Sequence, residues 1–385
     1  MLNGFAPTFT TFGNEAYDSD VVRAAIDAIA RNAAKLKPRH IRRRDGKLEP
    51  SNSRLERLLQ IRPNPYMDTY SFLYKVITQL YLKNNSFIFV AWNENGTLRE
   101  LYPVNSASTE LLENNGEIYV RFNFMSGQQA VVPYNDVIHL RRFFYKNDMY
   151  GETSDAALNP TLELIHTTNE GIQNAIKTSA NLRGLLKYTT MLKDEDIRKN
   201  KEIFVRDYMS VSNNGGIAAL DSKAEYQELK NEPKMVDEKQ MSLIENKVYK
   251  YFGVNEQIVM SKYSEDDWNS FYESILEPLA LQMSLEFTQK LFTETERNHG
   301  NEIIFEANRL QYASNQTKIS VIETLMDRGL MSMNEAREVF NLAPIEDGEK
   351  RIVSLNFVSA DLADQYQVGK GGDENGQDPS EDEGS

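Results

Sequence analysis

Apolar residues recur along this chain at two periods, and the changes of period divide it into regions. Val21, Val22, Ala25, Ile26, Ile29, Ala33 and Leu36 lie three and four residues apart, the spacing of one helical face. Asp18 or Ser19 is placed to cap that helix. Leu55, Leu58 and Leu59 lead into Arg62-Pro63-Asn64-Pro65, where the prolines force extended backbone. Thr69 can then cap a helix facing inward through Phe72, Leu73, Val76, Ile77, Leu80 and Tyr81. Over 86–140 the period turns toward two, predicting strands at 86–92, 98–102, 118–124 and 137–140. Asn-Gly and Ser-Gly turns separate them, so this stretch reads as one small antiparallel β unit.

Helical spacing returns over 151–183, but its stripe of Leu158, Leu162, Ile165, Ile172, Ala175 and Ile176 is thin. Such a helix packs against neighbours in an assembly more readily than in a core. Residues 184–229 read as a small inserted unit: a strand-like start, a charged helix from Asp194 carrying Ile197, Ile203, Phe204 and Tyr208, and a closing strand. So few apolar anchors would leave it marginal alone. The strongest pattern follows over 237–292. Met241, Ile244, Val248, Tyr251 and Phe252 share a face, and Gly253 ends the helix where a left-handed residue is needed. Trp268, Phe271, Tyr272, Ile275, Leu279, Met283, Phe287 and Leu291 line a second helix, with Pro278 inside it. An interior proline loses a backbone hydrogen bond and kinks a helix at about 3 kcal/mol, so Pro278 marks a bend. Beyond it come a strand at 302–306, a helix with Ile319, Ile322, Leu325 and Met326, and a Ser332/Glu335 capping box. Ala336, Val339 and Phe340 should face inward from that last helix, which Pro344 ends. The tail from 369 is rich in Gly, Asp and Glu, and its composition is that of a disordered segment.

The 385 residues suffice for two or three domains. No apolar run approaches the roughly 18 residues of a membrane span, and the N-terminus has no signal-peptide pattern. The absence of cysteine removes disulfides, thiolate metal sites and cysteine nucleophiles, and fits a reducing compartment. A net charge of −14 is the wrong sign for tight wrapping of nucleic acid. Against it stands a basic stretch: Arg31, Lys35, Lys37, Arg39, Arg42, Arg43, Arg44 and Lys47. It reads either as a phosphate-contacting patch or, more simply, as a solvated linker.

Catalytic patterns are absent. His40, His139, His166 and His299 have no ligand spacing, and there is no nucleophile elbow, phosphate loop or dinucleotide fingerprint. Glu265, Asp266 and Asp267 form one acidic cluster before Trp268. They could hold a magnesium ion, but acids in a first helical turn are favoured by the macrodipole alone. The expectation is a binding or structural protein with no catalytic residue, no cofactor and no metal.

The order of these features resembles the portal protein family of tailed bacteriophages. The resemblance spans about 55–352 and rests on LLQIRPNPYM at 58–67, VIHL at 137–140 and DMYGETS at 148–154. It continues through DEKQMSLIENKVYKYFG at 237–253, the proline-bearing stretch 264–292, and LMSMNEAREVFNLA at 330–343. It implies an α+β, mostly helical subunit with wing, stem, clip and crown regions. On this resemblance 1–144 is the N-terminal wing, 145–183 and 234–253 are stem helices, and 184–233 is the clip. Residues 254–267 form a tunnel loop and 268–312 a kinked helix with a wing strand. The crown helices occupy 313–345, and 346–385 end in the acidic tail.

The resemblance further implies a homo-oligomeric ring of twelve subunits at a capsid vertex, through which double-stranded DNA is packaged and ejected. The terminase large subunit, a head-tail adaptor, and capsid and scaffold proteins would be partners, with no membrane. The subunit would be made in the host cytoplasm and end in the virion. Lys262, Tyr263 and Ser264 would line the channel, Pro278 would bend the helix behind them, and Arg198, Lys199, Lys201 and Arg206 would meet motor and adaptor. The competing readings are another non-enzymatic phage head, scaffold or adaptor protein, and a metal-dependent nuclease using Glu265, Asp266 and Asp267.

Overall fold

The computed structural model describes residues 16–353, except 45–46, 52, 154, 180–183, 189–190, 192, 209–223, 229–237, 307–314 and 341. The acidic tail and the middle of the inserted unit, 209–223, lie outside the described residues. The chain divides into two compact units, 1–263 with 269–306, and 264–268 with 307–385. Helices and antiparallel strands of both units give an α+β protein.

The larger unit begins with α1 (Asp20–Ala33), which is buried nearly all round through Val22, Ala25, Ile26, Ala28, Ile29, Ala30 and Ala33. Ser19 sits at its N-cap but makes no side-chain cap bond; Asp20 Oδ1 accepts from the Val21 N–H instead. The basic stretch is not a linker. It forms β1 (Lys37–Arg44) and β2 (Lys47–Pro50), and β1 pairs on its other side with β11 (Asn301–Glu306), about two thirds of the chain away. Ion pairs of Arg39 with Glu306 (3.3 Å) and Arg43 with Glu302 (3.5 Å) run along that pairing.

After α2 (Arg54–Ile61) comes α3 (Thr69–Lys83), whose expected inward face is buried at every position. Its cap is Asp68, which accepts from the Ser71 N–H at 2.7 Å. Thr69 lies inside the helix and donates to Leu59 O at 2.7 Å.

The β region holds six strands in two sheets, not one unit of four. β4 (Leu98–Val104), β3 (Asn85–Trp92) and β8 (Val137–Arg141) form one; β5 (Ser108–Asn114), β6 (Glu117–Asn123) and β7 (Gln129–Pro133) form the other. Phe87, Val120, Phe122, Val137 and Tyr150 make a buried cluster here. β5 (Ser-Thr-Glu-Leu-Leu-Glu-Asn) and β7 (Gln-Ala-Val-Val-Pro) escape the sequence pattern because each places its large apolar residues side by side, so neither sequence alternates apolar with polar positions.

Within this core lies a polar joint. Asn85 is buried and satisfies all its amide valences: Oδ1 accepts from Gly151 N–H (2.9 Å) and His139 Nε2 (3.0 Å), and Nδ2 donates to Gly151 O (3.0 Å) and Lys83 O (3.2 Å). His139, stacked on Phe87 at 4.1 Å, accepts on Nδ1 from the Tyr134 hydroxyl at 3.2 Å. With Nε2–H donating to Asn85, the neutral imidazole leaves Nδ1 as the acceptor. Burial, then Arg141 and Lys290, hold its pKa well below the usual value of 6.5.

The unfolded chain therefore takes up a proton that the folded chain refuses. His139 contributes stability that is complete above about pH 6.5 and is lost as pH falls below it. The slope is at most about 1.4 kcal/mol per pH unit. Glu286, raised by burial, acts with the opposite sign, its contribution fading as pH rises through its folded pKa. Urea titrations between about pH 5 and 6.5 should show the loss, and His139→Gln should flatten it. An unchanged slope in the variant would refute the assignment.

α4 (Asp155–Ser179) buries Leu158 and Ile165, leaves Leu162 and Ile172 half-covered, and exposes Leu164. The side chains of Ala175 and Ile176 lie outside the described residues. A two-stranded sheet of β9 (Gly184–Tyr188) and β10 (Ala224–Glu228) with α5 (Asp194–Tyr208) forms the inserted unit.

The smaller unit carries α11 (Asn315–Asp327), β12 (Arg328–Ser332) paired with β13 (Arg351–Val353), and α12 (Met333–Val339). The Ser332/Glu335 capping box is formed, with Ser332 Oγ accepting from Glu335 N–H at 3.2 Å. Ala336 is buried as expected, whereas Phe340 is exposed because the helix has ended before it.

Candidate functional site

The region of interest runs from α6 (Glu238–Phe252) through a connecting segment into the long proline-bearing helix. α6 buries Ile244, Val248, Tyr249 and Phe252. It ends in a Schellman turn at Gly253 (φ +78°): Val254 N–H donates to Tyr249 O (3.0 Å) and Gly253 N–H to Lys250 O (3.3 Å).

The segment after Gly253 is more ordered than a loop. α7 (Glu256–Val259) is capped by Asn255, whose Oδ1 accepts from Ile258 N–H at 2.9 Å, and is anchored by buried Ile258 and Val254. The longest continuous exposed run of the segment is 260–264, which contains Lys262, Tyr263 and Ser264.

Of the acidic cluster, Asp267 is taken up by helix capping. Ser264 Oγ donates to Asp267 Oδ2 (2.7 Å) and accepts from Asp267 N–H (3.2 Å), opening α8 (Glu265–Phe271). Glu265 accepts from the Thr317 hydroxyl at 3.0 Å. Among the described residues no group of three His, Cys, Asp or Glu could hold a metal ion.

α8 passes into a π turn, Tyr272–Leu276, in which Glu277 N–H reaches back five residues to Tyr272 O. α9 (Glu277–Leu291) follows, with Pro278 in its first turn. In α geometry the proline ring would strike the Ser274 carbonyl; the wider turn relieves that clash. The extra residue shifts the apolar stripe. Leu276 is buried (2% exposed), whereas Ile275, expected inside, is only half-covered. The buried positions therefore step from Phe271 to Leu276 and continue through Leu279, Met283, Phe287 and Leu291.

Below that turn α9 uses three of its faces. Its core stripe sets Phe287 edge-on against Phe305 at 4.9 Å. A second stripe serves β11: Ser284 Oγ accepts from Phe305 N–H (2.9 Å), and Thr288 Oγ1 from Ile303 N–H (2.8 Å). A third serves β8: Gln282 bonds both backbone groups of Arg141, at 2.9 and 3.3 Å, and Lys290 donates to Tyr134 O at 2.8 Å. The helix thus occupies the open edges of two sheets. Its fourth face leaves Leu281 and Leu285 about 60% exposed, at 61% and 62%.

Arg31, Lys35, Arg39, Arg42 and Arg43 of the basic stretch all have partners within the subunit. Arg198, Lys199 and Lys201 are exposed on α5; the side chain of Arg206 lies outside the described residues. Ile197 and Ile203 of the same helix are also exposed, at 43% and 38%.

One cluster has the outline of a nucleophile site. His40 lies 2.7 Å from Ser53 Oγ and 3.1 Å from Asn301 Oδ1, beside a cleft of 760 Å³. Ser53, however, is the N-cap of α2 and accepts from Glu56 N–H at 3.1 Å, so its role is structural.

A family model described as phage portal protein matches residues 20–341. The probable portal proteins of Lactococcus phages p2 and SK1 are each 24% identical over 375 residues, covering 93% of this chain and 90% of theirs. Among solved structures, the neck of an empty GTA particle computed with C6 symmetry matches with a TM-score of 0.64 at 16% identity. That match covers 87% of this chain and 94% of the other. The neck of a native GTA particle computed with C12 symmetry matches with a TM-score of 0.62 at 15% identity, covering 89% and 96%.

Proposed function

Because the chain belongs to the phage portal protein family, a structural and non-enzymatic one, we propose that twelve copies close into a ring around a DNA channel. The observation that carries this reading is the fold match to necks computed with C12 and C6 symmetry, over nearly the whole of both chains. The ring would stand at a capsid vertex of the virion, with the subunit made in the host cytoplasm.

On this reading 1–144 with 268–312 form the wing, α4 and α6 the stem, 184–233 the clip and 313–345 the crown. Exposed Leu281 and Leu285 on α9, and Ile197 and Ile203 on α5, are surfaces a neighbouring copy would cover. The clip, with Arg198, Lys199, Lys201 and Arg206, would meet the terminase large subunit and then the head-tail adaptor. Capsid and scaffold proteins would surround the wing.

Residues 254–267 would be the tunnel loop, and its exposed run 260–264 would present Lys262, Tyr263 and Ser264 to double-stranded DNA. The net charge of −14 suits a conduit. DNA carries one charge per roughly 1.7 Å, so a strongly basic wall would release counterions and hold it fast.

Native mass spectrometry with negative-stain electron microscopy tests the assembly. A ring with a hole wide enough for duplex DNA is the expected result. A monomer or dimer across a range of protein and salt concentrations would overturn it.

Pro278 gives a second test. Alanine there supplies the N–H that the Ser274 carbonyl lacks, so the π turn can close to α and rotate Leu276 out of the core stripe. Pro278→Ala should leave the subunit folded and impair assembly or packaging. Unchanged phage yield with this variant would sink the role given to the bend.

A further inference from the structure

The turn that carries Lys262 and Tyr263 is built on a residue poorly suited to it. Ser261 has φ +58°, the left-handed region where a Cβ crowds the following carbonyl. It occupies the αL position of a second Schellman turn: Ser261 N–H donates to Ile258 O at 3.3 Å and Lys262 N–H to Gln257 O at 2.9 Å. The equivalent turn a few residues earlier uses Gly253. A serine at this position needs support from elsewhere.

Arg31 supplies it. From the last turn of α1 its Nη2 donates to Val259 O (3.0 Å), Ile258 O (3.3 Å) and Ser261 Oγ (3.0 Å). The two carbonyls end a four-residue helix, so they have few intrahelical donors, and a cation complements that end. The guanidinium is aimed by Asp27, 3.1 Å away one turn back, and Asp27 is held by the Tyr74 hydroxyl at 2.8 Å. α1 itself is an immobile backing, with Val22, Ala25, Ile26 and Ile29 fully buried. The distance in sequence is more than two hundred residues, so the contact belongs to the tertiary fold alone.

We propose that Arg31 is a positioning residue for the channel loop. It clamps the turn at 258–261 to α1, so that Lys262 and Tyr263 project from a fixed base and resist being dragged by moving DNA. This rests on the reading of 254–267 as the tunnel loop. Lysine would not replace it, because one ammonium nitrogen cannot hold Asp27 and the three loop acceptors at once, as Nη1 and Nη2 of the guanidinium do.

The test uses the full-length assembled protein and four variants: Arg31→Met, Ser261→Gly, their combination, and Lys262→Ala with Tyr263→Ala. Methionine keeps the apolar stem of Arg31 and removes its donors. Hydrogen exchange in peptides spanning 256–264 should accelerate about tenfold in Arg31→Met, while peptides of α1 and α3 keep their wild-type protection. Adding Ser261→Gly should restore most of the protection, because glycine removes the left-handed strain that the clamp offsets. Loss of α1 packing would not be rescued in that way.

Unchanged exchange at 256–264, an equal rise in α1, or no rescue by glycine would each overturn the clamp. Packaged DNA per head, measured on the same variants, should fall severalfold in Arg31→Met and recover in the double variant. A loosened loop with full packaging, in Arg31→Met and in the Lys262/Tyr263 variant alike, would overturn the assignment of this loop to DNA while leaving the clamp established.

Discussion

Replacing Asn85 by leucine is expected to lower the stability of the larger unit by about 4 kcal/mol, from three buried polar groups orphaned at roughly 1–3 kcal/mol each. The groups are Gly151 N–H, Gly151 C=O and His139 Nε2, each bonded to the Asn85 amide within 3.0 Å. Leucine matches the side chain in size and supplies neither donor nor acceptor, and water has no access to a residue 3% exposed. The effect should extend beyond β3. Asn84, in the left-handed region at φ +54°, donates to Glu152 O at 2.7 Å, so two adjacent asparagines hold 151–152 against the sheet. That segment leads directly into α4. Urea unfolding monitored by circular dichroism reads the loss; a change below about 1 kcal/mol would mean that the joint is not what holds the segment.

The second large effect is at Gly151. A methyl group added to this residue would overlap the carbonyl oxygens of both Asn84 and Arg142, two backbone groups that cannot rotate away. Arg142 N–H is bonded to Asn84 O at 2.9 Å, so relieving the overlap also stretches that bond. Gly151→Ala should cost about 3 kcal/mol, the upper range for overpacking a tight site. Gly171 supplies the control. It lies in α4 with nothing within 4 Å of the position a Cβ would take, and alanine there should stabilise the helix by about 0.5–1 kcal/mol. Two Gly→Ala changes of opposite sign in one subunit separate close backbone approach from simple chain entropy. Equal effects at the two positions would refute the steric account.

The parts legible in the sequence are those whose burial is one-sided. The inward faces of α3 and α6 follow helical spacing because each meets its core on one side. Gly253 and the Ser332/Glu335 box mark helix ends by local hydrogen bonding, which needs no distant partner. The basic stretch was opaque for the opposite reason. β1 reads as Lys-Pro-Arg-His-Ile-Arg-Arg-Arg, and its strand character comes from β11, which contributes Glu302 and Glu306 opposite its arginines. The stripe of the proline-bearing helix was legible at Trp268 and Phe271 and again from Leu279 to Leu291. It slipped in between, where Leu276 is buried and Ile275 is not, because the chain answers a proline with a π turn and 3.6-residue spacing does not anticipate one.

For the candidate site, the family resemblance pointed to Lys262, Tyr263 and Ser264 without showing what supports them. Arg31 carried no signal of that role, since a cation in a helical last turn is ordinary and its acceptors are backbone carbonyls. His139 likewise looks like any histidine in a strand until Asn85 and Tyr134 are placed around it.

Taken by itself, the sequence determined the helical faces, the turn chemistry and, through the order of its motifs, the family. The first two depend on residues close together in the chain. The tertiary structure alone decided the pairing of β1 with β11, the joint at Asn85 and Gly151, and the anchoring of 258–261 by Arg31. Each depends on hydrogen bonds between segments far apart in sequence, and a backbone group gives no sign in its own sequence of the partner it will meet.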